Sequence, residues 1–271
     1  MKLSEIRAAY IDDGYGYLEA NARTSQDVVL SMIAKTALLG NITIKGGVVM
    51  QHISGDSRRA TQDLDFDFIR YSLGDDSIRS FIEKLNAQLD GVAISITAPI
   101  EELKHQDYHG KRVYVSLTDT DGTTIDTKLD IGVHKDTTME QALYCFDLAK
   151  LEDSVTLLVN TKEQIFAEKL KSLLRLGALS TRYKDVFDMY WLATQGEMDK
   201  TVLMADLDAL VYRDKTMREN SIDDIVSRLT RVSGNAGFIQ SLGRSRRHNW
   251  LNMDSSEAML TLVEYFKRYD T

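Results

Sequence analysis

Residues 45–68 read KGGVVMQHISGDSRRATQDLDFDF, and the fold turns on how that run is read. Its end places Asp63, Asp65 and Asp67 at every second position, with Leu64, Phe66 and Phe68 in the alternate ones. Successive side chains of a β-strand point to opposite faces, so a strand here puts three carboxylates on one side and an apolar row on the other. Aspartate is depleted from strands, and like charges so close repel unless a cation compensates them. Upstream, Ile42–Lys45 is β-prone and leads into Gly46-Gly47, with a helix start expected over Val48–Ile53. Strand, glycine pair and helix start is the local order of a phosphate-binding turn, where backbone N–H groups meet an anion. The run therefore reads as a metal and phosphate site. Asp63 and Asp65 would hold the metal, Gly46 and Gly47 would admit a triphosphate, and Arg58 or Arg59 would supply a cation. The alternative is the solvated face of an antiparallel strand. That alternative is preferred for Asp67, which is taken as solvated or as strand-end chemistry.

Moving outward, the chain has 271 residues, room for one large domain or two modest ones. With 43% hydrophobic and 27% charged residues it has the make-up of an ordinary folded protein. No apolar run is long enough for a membrane helix, and the N-terminus carries acidic residues where a secretory signal needs an apolar core. The one cysteine, Cys145, leaves no internal disulfide framework and no cysteine-rich zinc site. A reducing cytoplasm is the expected home. A net charge of −8 argues against non-specific nucleic-acid binding by the whole surface, while leaving room for a local basic groove.

Thr24 or Ser25 is expected to cap a helix running to about Leu39. Ile78–Leu89 reads as an amphipathic helix, and Val92–Thr97, Val113–Thr118 and Thr123–Val133 as strands. The Asp-Gly pair in Asp119–Gly122 signals a hairpin. On its second strand Ile125, Thr127, Leu129 and Ile131 share one face, and Asp126, Lys128 and Asp130 the other. Asp130 is the candidate third carboxylate beside Asp63 and Asp65. Past about residue 150 the strand signals fade, and helices are expected over Thr161–Leu176, Arg182–Thr194, Lys200–Tyr212, Ser221–Val232 and Ser255–Tyr269. The expected organisation is an α/β (α+β) domain over 1–150 with a mixed sheet, followed by a helical domain over 151–271, with a cleft between them as the natural site.

In the second half, Lys169 sits inside the apolar stripe of Ile165, Phe166, Leu170, Leu173 and Leu174, whereas Lys171 falls outside it. Lys169 either snorkels to water or serves as a phosphate ligand or catalytic cation. Asp185 and Asp188 are three apart and face the same way. They either form local ion pairs with Arg182 and Lys184 or orient an acceptor hydroxyl. Arg244, Arg246 and Arg247, near His248 and Trp250, are candidates for contact with a polyanion such as RNA. His105 and His109 are read as loop residues without metal-ligand spacing.

The order GG, variable helix, R-x-T-x-D-L-D-F resembles the AbiEii/AbiGii-type nucleotidyltransferase toxins of bacterial toxin–antitoxin and abortive-infection systems. The matching residues are Gly46, Gly47, Arg59, Thr61, Asp63, Asp65 and Phe66. EQIFAEKLKSLLRLGALSTRYKDVFDMYWL, residues 163–192, is similar to the family's E-K-L … R-x-K-D-x-x-D-x-Y segment. The chain departs from the pattern at Val48, where the family usually carries Ser or Thr. The resemblance implies a nucleotidyltransferase palm and Mg²⁺ (or Mn²⁺) held by Asp63, Asp65 and Asp130. It also implies an NTP substrate bound at Gly46, Gly47, Arg59, Thr61 and Lys169, with Asp185 and Asp188 as site residues. The implied acceptor is RNA at the tRNA 3′ end, and the implied partner is a separately encoded antitoxin that need not bind the toxin. Rival readings are AMP transfer to a protein, transfer to a small molecule such as an aminoglycoside, and a non-catalytic nucleotide-binding regulator.

Overall fold

The computed structural model describes residues 2–87, 91–103, 110–134, 138–151 and 153–269. His105 and His109 lie outside these. The chain forms two compact units, Met1–Asn160 and Thr161–Thr271.

The first unit is built on an eight-stranded mixed sheet. Its strands are β1 (Ile42–Lys45), β2 (Leu64–Phe68), β3 (Val92–Ile96), β4 (Glu101–Leu103), β5 (Gly110–Asp119), β6 (Thr124–Val133), β7 (Gln141–Leu148) and β8 (Asp153–Asn160). The order is β3-β5-β6-β2-β1-β8-β7, with β4 also on β5. β1 runs parallel to β8 and β2 parallel to β6, and the other pairings are antiparallel. The mixed α/β class expected from the alternating runs is what forms.

Local chemistry explains these elements. Asp119 Oδ1 accepts the N–H groups of Asp121 and Thr123 at 3.0 and 2.8 Å, and Gly122 takes φ +81°, closing the β5–β6 hairpin. The apolar row of β2 enters the core, where Phe66 and Phe68 lie 5.6 and 5.4 Å from Phe81 of α4 (Asp75–Asn86). Each such side chain contributes roughly 1.5–3 kcal/mol by burial.

Two expectations are corrected. Thr24 and Ser25 are no cap: α1 (Leu3–Asp12) is followed by α2 (Tyr17–Ala34), and both residues are buried inside α2. Their hydroxyls fold back onto Ala20 O and Ala22 O at 2.8 Å, which satisfies a helix-interior Ser or Thr. The sheet also runs past residue 150. β8, with Val155, Leu157 and Val159 buried, lies beside β1 at the end of the first unit. β7 and the helix over Ala236–Arg244 were not expected from the sequence.

The second unit contains α5 (Lys162–Leu176), α6 (Tyr183–Gln195), α7 (Lys200–Leu207), α8 (Ile222–Ser233), α9 (Ala236–Arg244) and α10 (Ser255–Lys267), and no strand among its described residues. Its starts are chemically marked. Thr161 accepts the N–H of Gln164 at 3.1 Å, and Ser221 accepts that of Asp224 at 3.2 Å. The Asp224 carboxylate accepts the Ser221 hydroxyl at 3.0 Å and the N–H of Asn220, one residue before the cap, at 2.9 Å, an acidic variant of the capping box.

Candidate active site

β2 is a central strand, so its polar face meets neighbours on both sides. Lys45 of β1 stands opposite Asp65, and Asp130 of β6 is Asp65's register partner on the other side. Arg112 of β5 stands opposite Asp130. Four charged residues thus lie side by side across four strands.

The cations are placed to neutralise this face. Arg112 donates from Nε to Asp130 Oδ1 at 2.8 Å and from Nη2 to Oδ2 at 2.7 Å, a planar two-point fork. That bond to Asp130 holds the Arg112 pKa well above its usual range. Lys128 pairs with Asp63 at 3.1 Å. Lys45 pairs with Asp67 at 2.6 Å, and both side chains are buried. Asp67 is therefore not a solvated carboxylate, as the alternation alone suggested: it is 3% exposed and forms an internal ion pair. At that depth the polar face of the sheet is covered, and Lys45 of β1 is buried there with Asp67 as its counter-ion.

The glycine pair is required by close approach. Gly46 opens α3 (Gly46–Ser54) at φ +68°, and a Cβ there would stand 2.7 Å from Asp65 Oδ2. A Cβ on Gly47 would stand 2.7 Å from Thr61 Cβ. The first turn of α3, with its free N–H groups and positive dipole end, therefore begins directly against Asp65. Gln26 of α2 steadies the approach to β2 by donating to Thr61 O and Asp63 O at 3.1 and 3.4 Å. Val48 is fully buried, so this position packs the core in place of a hydroxyl contact. Arg59 is 2% exposed and is no part of the open surface, while its exposed neighbour Arg58 pairs with Asp56.

Among the described residues, no three His, Cys, Asp or Glu side chains stand together as a ready-made metal cage. The donor set still fits Mg²⁺ in its usual manner. That ion prefers oxygen, keeps several waters, and is held by one or two carboxylates together with substrate phosphates. Asp63 and Asp65, two positions apart at the start of β2, are the carboxylates that could serve, with one oxygen of Asp63 engaged by Lys128 at 3.1 Å. Asp130 is in register to be a third, but both of its oxygens are taken by Arg112.

In the second unit, α5 and α6 bring Lys169, Asp185 and Asp188 together. Lys169 Nζ lies 2.5 Å from Asp185 Oδ1 and 2.9 Å from Asp188 Oδ2. Asp188 is completely buried, and its Oδ1 accepts the Trp250 indole N–H at 3.0 Å. Lys169 is thus an ion-paired cation, not a snorkelling one. Arg182 reaches Asp185 only at 3.9 Å. Lys171, read as lying off the buried face, is itself buried and pairs with Asp214 at 2.6 Å. Burial opposes the Asp214 charge, yet bonds from Lys171 and Thr216 hold its carboxyl well below the usual range. Trp250, offered above as a ring for bases, is 2% exposed and enclosed, so that role is withdrawn.

Arg112, and the bond from Trp250 to Asp188, were missed. Arg112 had a usable signal, since counting equal steps back from the Asp-Gly turn pairs it with Asp130. Trp250 had none, because its partner is far away in sequence.

The profile of the family described as nucleotidyl transferase AbiEii toxin, type IV TA system, matches residues 28–255. The chain belongs to that family of nucleotidyltransferase toxins, and membership implies a cognate antitoxin. No curated protein sequence matches it. A crystal structure of an antigenic nucleotidyltransferase-like protein from Paracoccidioides brasiliensis is similar at a TM-score of 0.41 and 15% identity, covering 82% of this chain and 91% of that one. No described helix is long and apolar enough to cross a membrane.

Proposed function

We propose that the protein transfers a nucleoside monophosphate from an NTP to RNA, the 3′ end of tRNA, with release of pyrophosphate. The observation that carries this reading is the start of α3 against Asp65, with no space for a Cβ at Gly46. It puts anion-binding N–H groups beside Asp65, two residues after Asp63. Asp63 and Asp65 would hold Mg²⁺ or Mn²⁺, which when bound with the nucleotide neutralises charge on the phosphates.

The chain's own groups take the remaining roles. The first-turn amides of α3 bind phosphate oxygens. Lys169 supplies a fixed cation to the nucleotide. Asp185, whose side chain retains 18% exposure, accepts the proton of the acceptor hydroxyl. Asp188, fully buried, orients Lys169. The acceptor oxygen bonds to the α-phosphorus, the bond from that phosphorus to the bridging oxygen breaks, and pyrophosphate leaves with the electron pair. Loss of usable tRNA would stop translation and growth in the cytoplasm, where NTPs and tRNA occur. The antitoxin is separately encoded and need not touch the toxin.

The test is incubation with α-labelled NTPs, Mg²⁺ and total tRNA. Label on tRNA that disappears in Asp65→Ala is the expected result. Label on protein or on an aminoglycoside, or NTP binding without transfer, overturns the proposal.

A further inference from the structure

Of residues 244–250, RSRRHNW, the site described above uses only the last. After α9 this segment folds into a fixed turn. The N–H groups of His248 and Asn249 donate to Ser245 O at 2.8 and 3.1 Å, and the Asn249 side chain donates to Met253 O at 2.7 Å. Ser245 also bonds to His248 Nδ1. Trp250 then ties the turn to the buried Asp188. On this scaffold Arg244, Arg246 and Arg247 are all exposed, and none forms an ion pair among the described residues.

A second stretch meets the turn. The Tyr183 ring, at the start of α6, lies 6.3 Å from the His248 ring. Burial, and then Lys184 and Arg247, depress the His248 pKa, so both cations bear on that ring. Lys184 and Arg247 thus bear on the Tyr183–His248 ring pair, and Arg244 and Arg246 are exposed on the same turn, in a chain whose net charge is −8. The overall field repels a polyanion, so any docking depends on a local patch of this kind. Guanidinium groups held on a rigid turn without carboxylate partners suit two-point contact with phosphate. Flanking rings add the stacking that single-stranded ends use.

We infer that the Arg244–Arg247 turn, with Lys184, Tyr183 and His248, docks the phosphate backbone of the RNA acceptor. The inference rests on the RNA reading above and adds where the RNA is held. Its anchor, Asp188, is also the carboxylate that holds Lys169, so the docking turn and the Lys169–Asp185 pair share one buried residue.

The experiment uses the full chain and a fluorescent tRNA. In Arg246→Glu/Arg247→Glu, the tRNA Kd is expected to rise at least tenfold. The slope of log affinity against log salt should fall by about 0.7–0.9 per lost contact. NTP affinity should be unchanged, and Arg246→Lys/Arg247→Lys should retain most of the binding. Unchanged tRNA affinity and salt slope in the charge-reversed variant overturn the docking surface alone, as does labelling of tRNA with an unchanged KM. Heparin or polyglutamate binding as tightly as tRNA overturns the assignment to RNA. Wild-type protein that neither binds nor labels tRNA overturns the proposed function, and the docking surface with it.

Discussion

Removing the Lys169 ammonium should be among the most damaging single changes to the second unit. Asp188 is fully buried, 2.9 Å from Lys169 Nζ and 3.0 Å from the Trp250 N–H. Lys169→Met keeps the apolar stem and takes away the charge opposite a carboxylate that water cannot reach. Breaking one side of a buried pair costs about 3–5 kcal/mol, because the other charge is left uncompensated. Asp188→Asn should cost less, about 1–3 kcal/mol, since Lys169 keeps Asp185 at 2.5 Å and the amide oxygen can still accept from Trp250. Lys169→Met/Asp188→Leu removes both charges and should recover much of the loss. Both tryptophans, Trp191 and Trp250, lie in the second unit, so their fluorescence during urea unfolding reports on that unit alone. The expected order of stability is wild type, then Asp188→Asn, then Lys169→Met, with the double variant above Lys169→Met. A Lys169→Met variant within about 0.5 kcal/mol of wild type, as for an ordinary surface change, would refute the reasoning.

Two further outcomes follow from the first unit. Gly46→Ala places a Cβ 2.7 Å from Asp65 Oδ2 at φ +68°, adding about 1–2 kcal/mol of backbone strain and displacing the carboxylate. Transfer should fall at least tenfold while the melting transition persists, and full activity would contradict the placement of Asp65. Asp27, 3% exposed, has its pKa raised by burial from 3.8 to about 6. Its contribution to stability is fully present below pH 3.8 and is lost as pH rises through 6, roughly 3 kcal/mol in all. Asp27→Asn should therefore stabilise the protein in urea unfolding at pH 7, with the gain fading towards pH 4. An equal effect at both pH values would contradict it. His52, lowered by burial to about 4, works in the opposite direction over that window. It is common to both proteins and drops out of the difference.

The period-two row at Leu64–Phe68 and the hairpin turn were legible because alternation and Asp-Gly chemistry are local. So were the acidic capping box at Ser221 and the helical second half. What escaped was set by neighbours. Asp67 looked solvated because alternation within one strand does not show that its face is covered, or that Lys45 of β1 meets it there. Thr24 and Ser25 looked like caps because the residues before them, YLEANA, form helix without an apolar period. β7 alternates too weakly, with Leu143 and Cys145 exposed, to announce an edge strand. The Asp63/Asp65 pair and Lys169 were readable as candidates. Of the cations that hold the carboxylates, Arg112 could have been found by counting back from the hairpin turn, whereas Lys45 could not, since β1 and β2 are joined by no such turn.

The reaction itself can be read by supplying the NTP in two forms, labelled at the α- or at the γ-phosphate, with tRNA and Mg²⁺. Asp65 against the start of α3, with Asp63 two residues before it, predicts α-label on the tRNA and γ-label in free pyrophosphate, both lost in Asp65→Ala. γ-Label on the acceptor, or transfer that survives Asp65→Ala, would contradict a nucleotidyl transfer centred on those carboxylates.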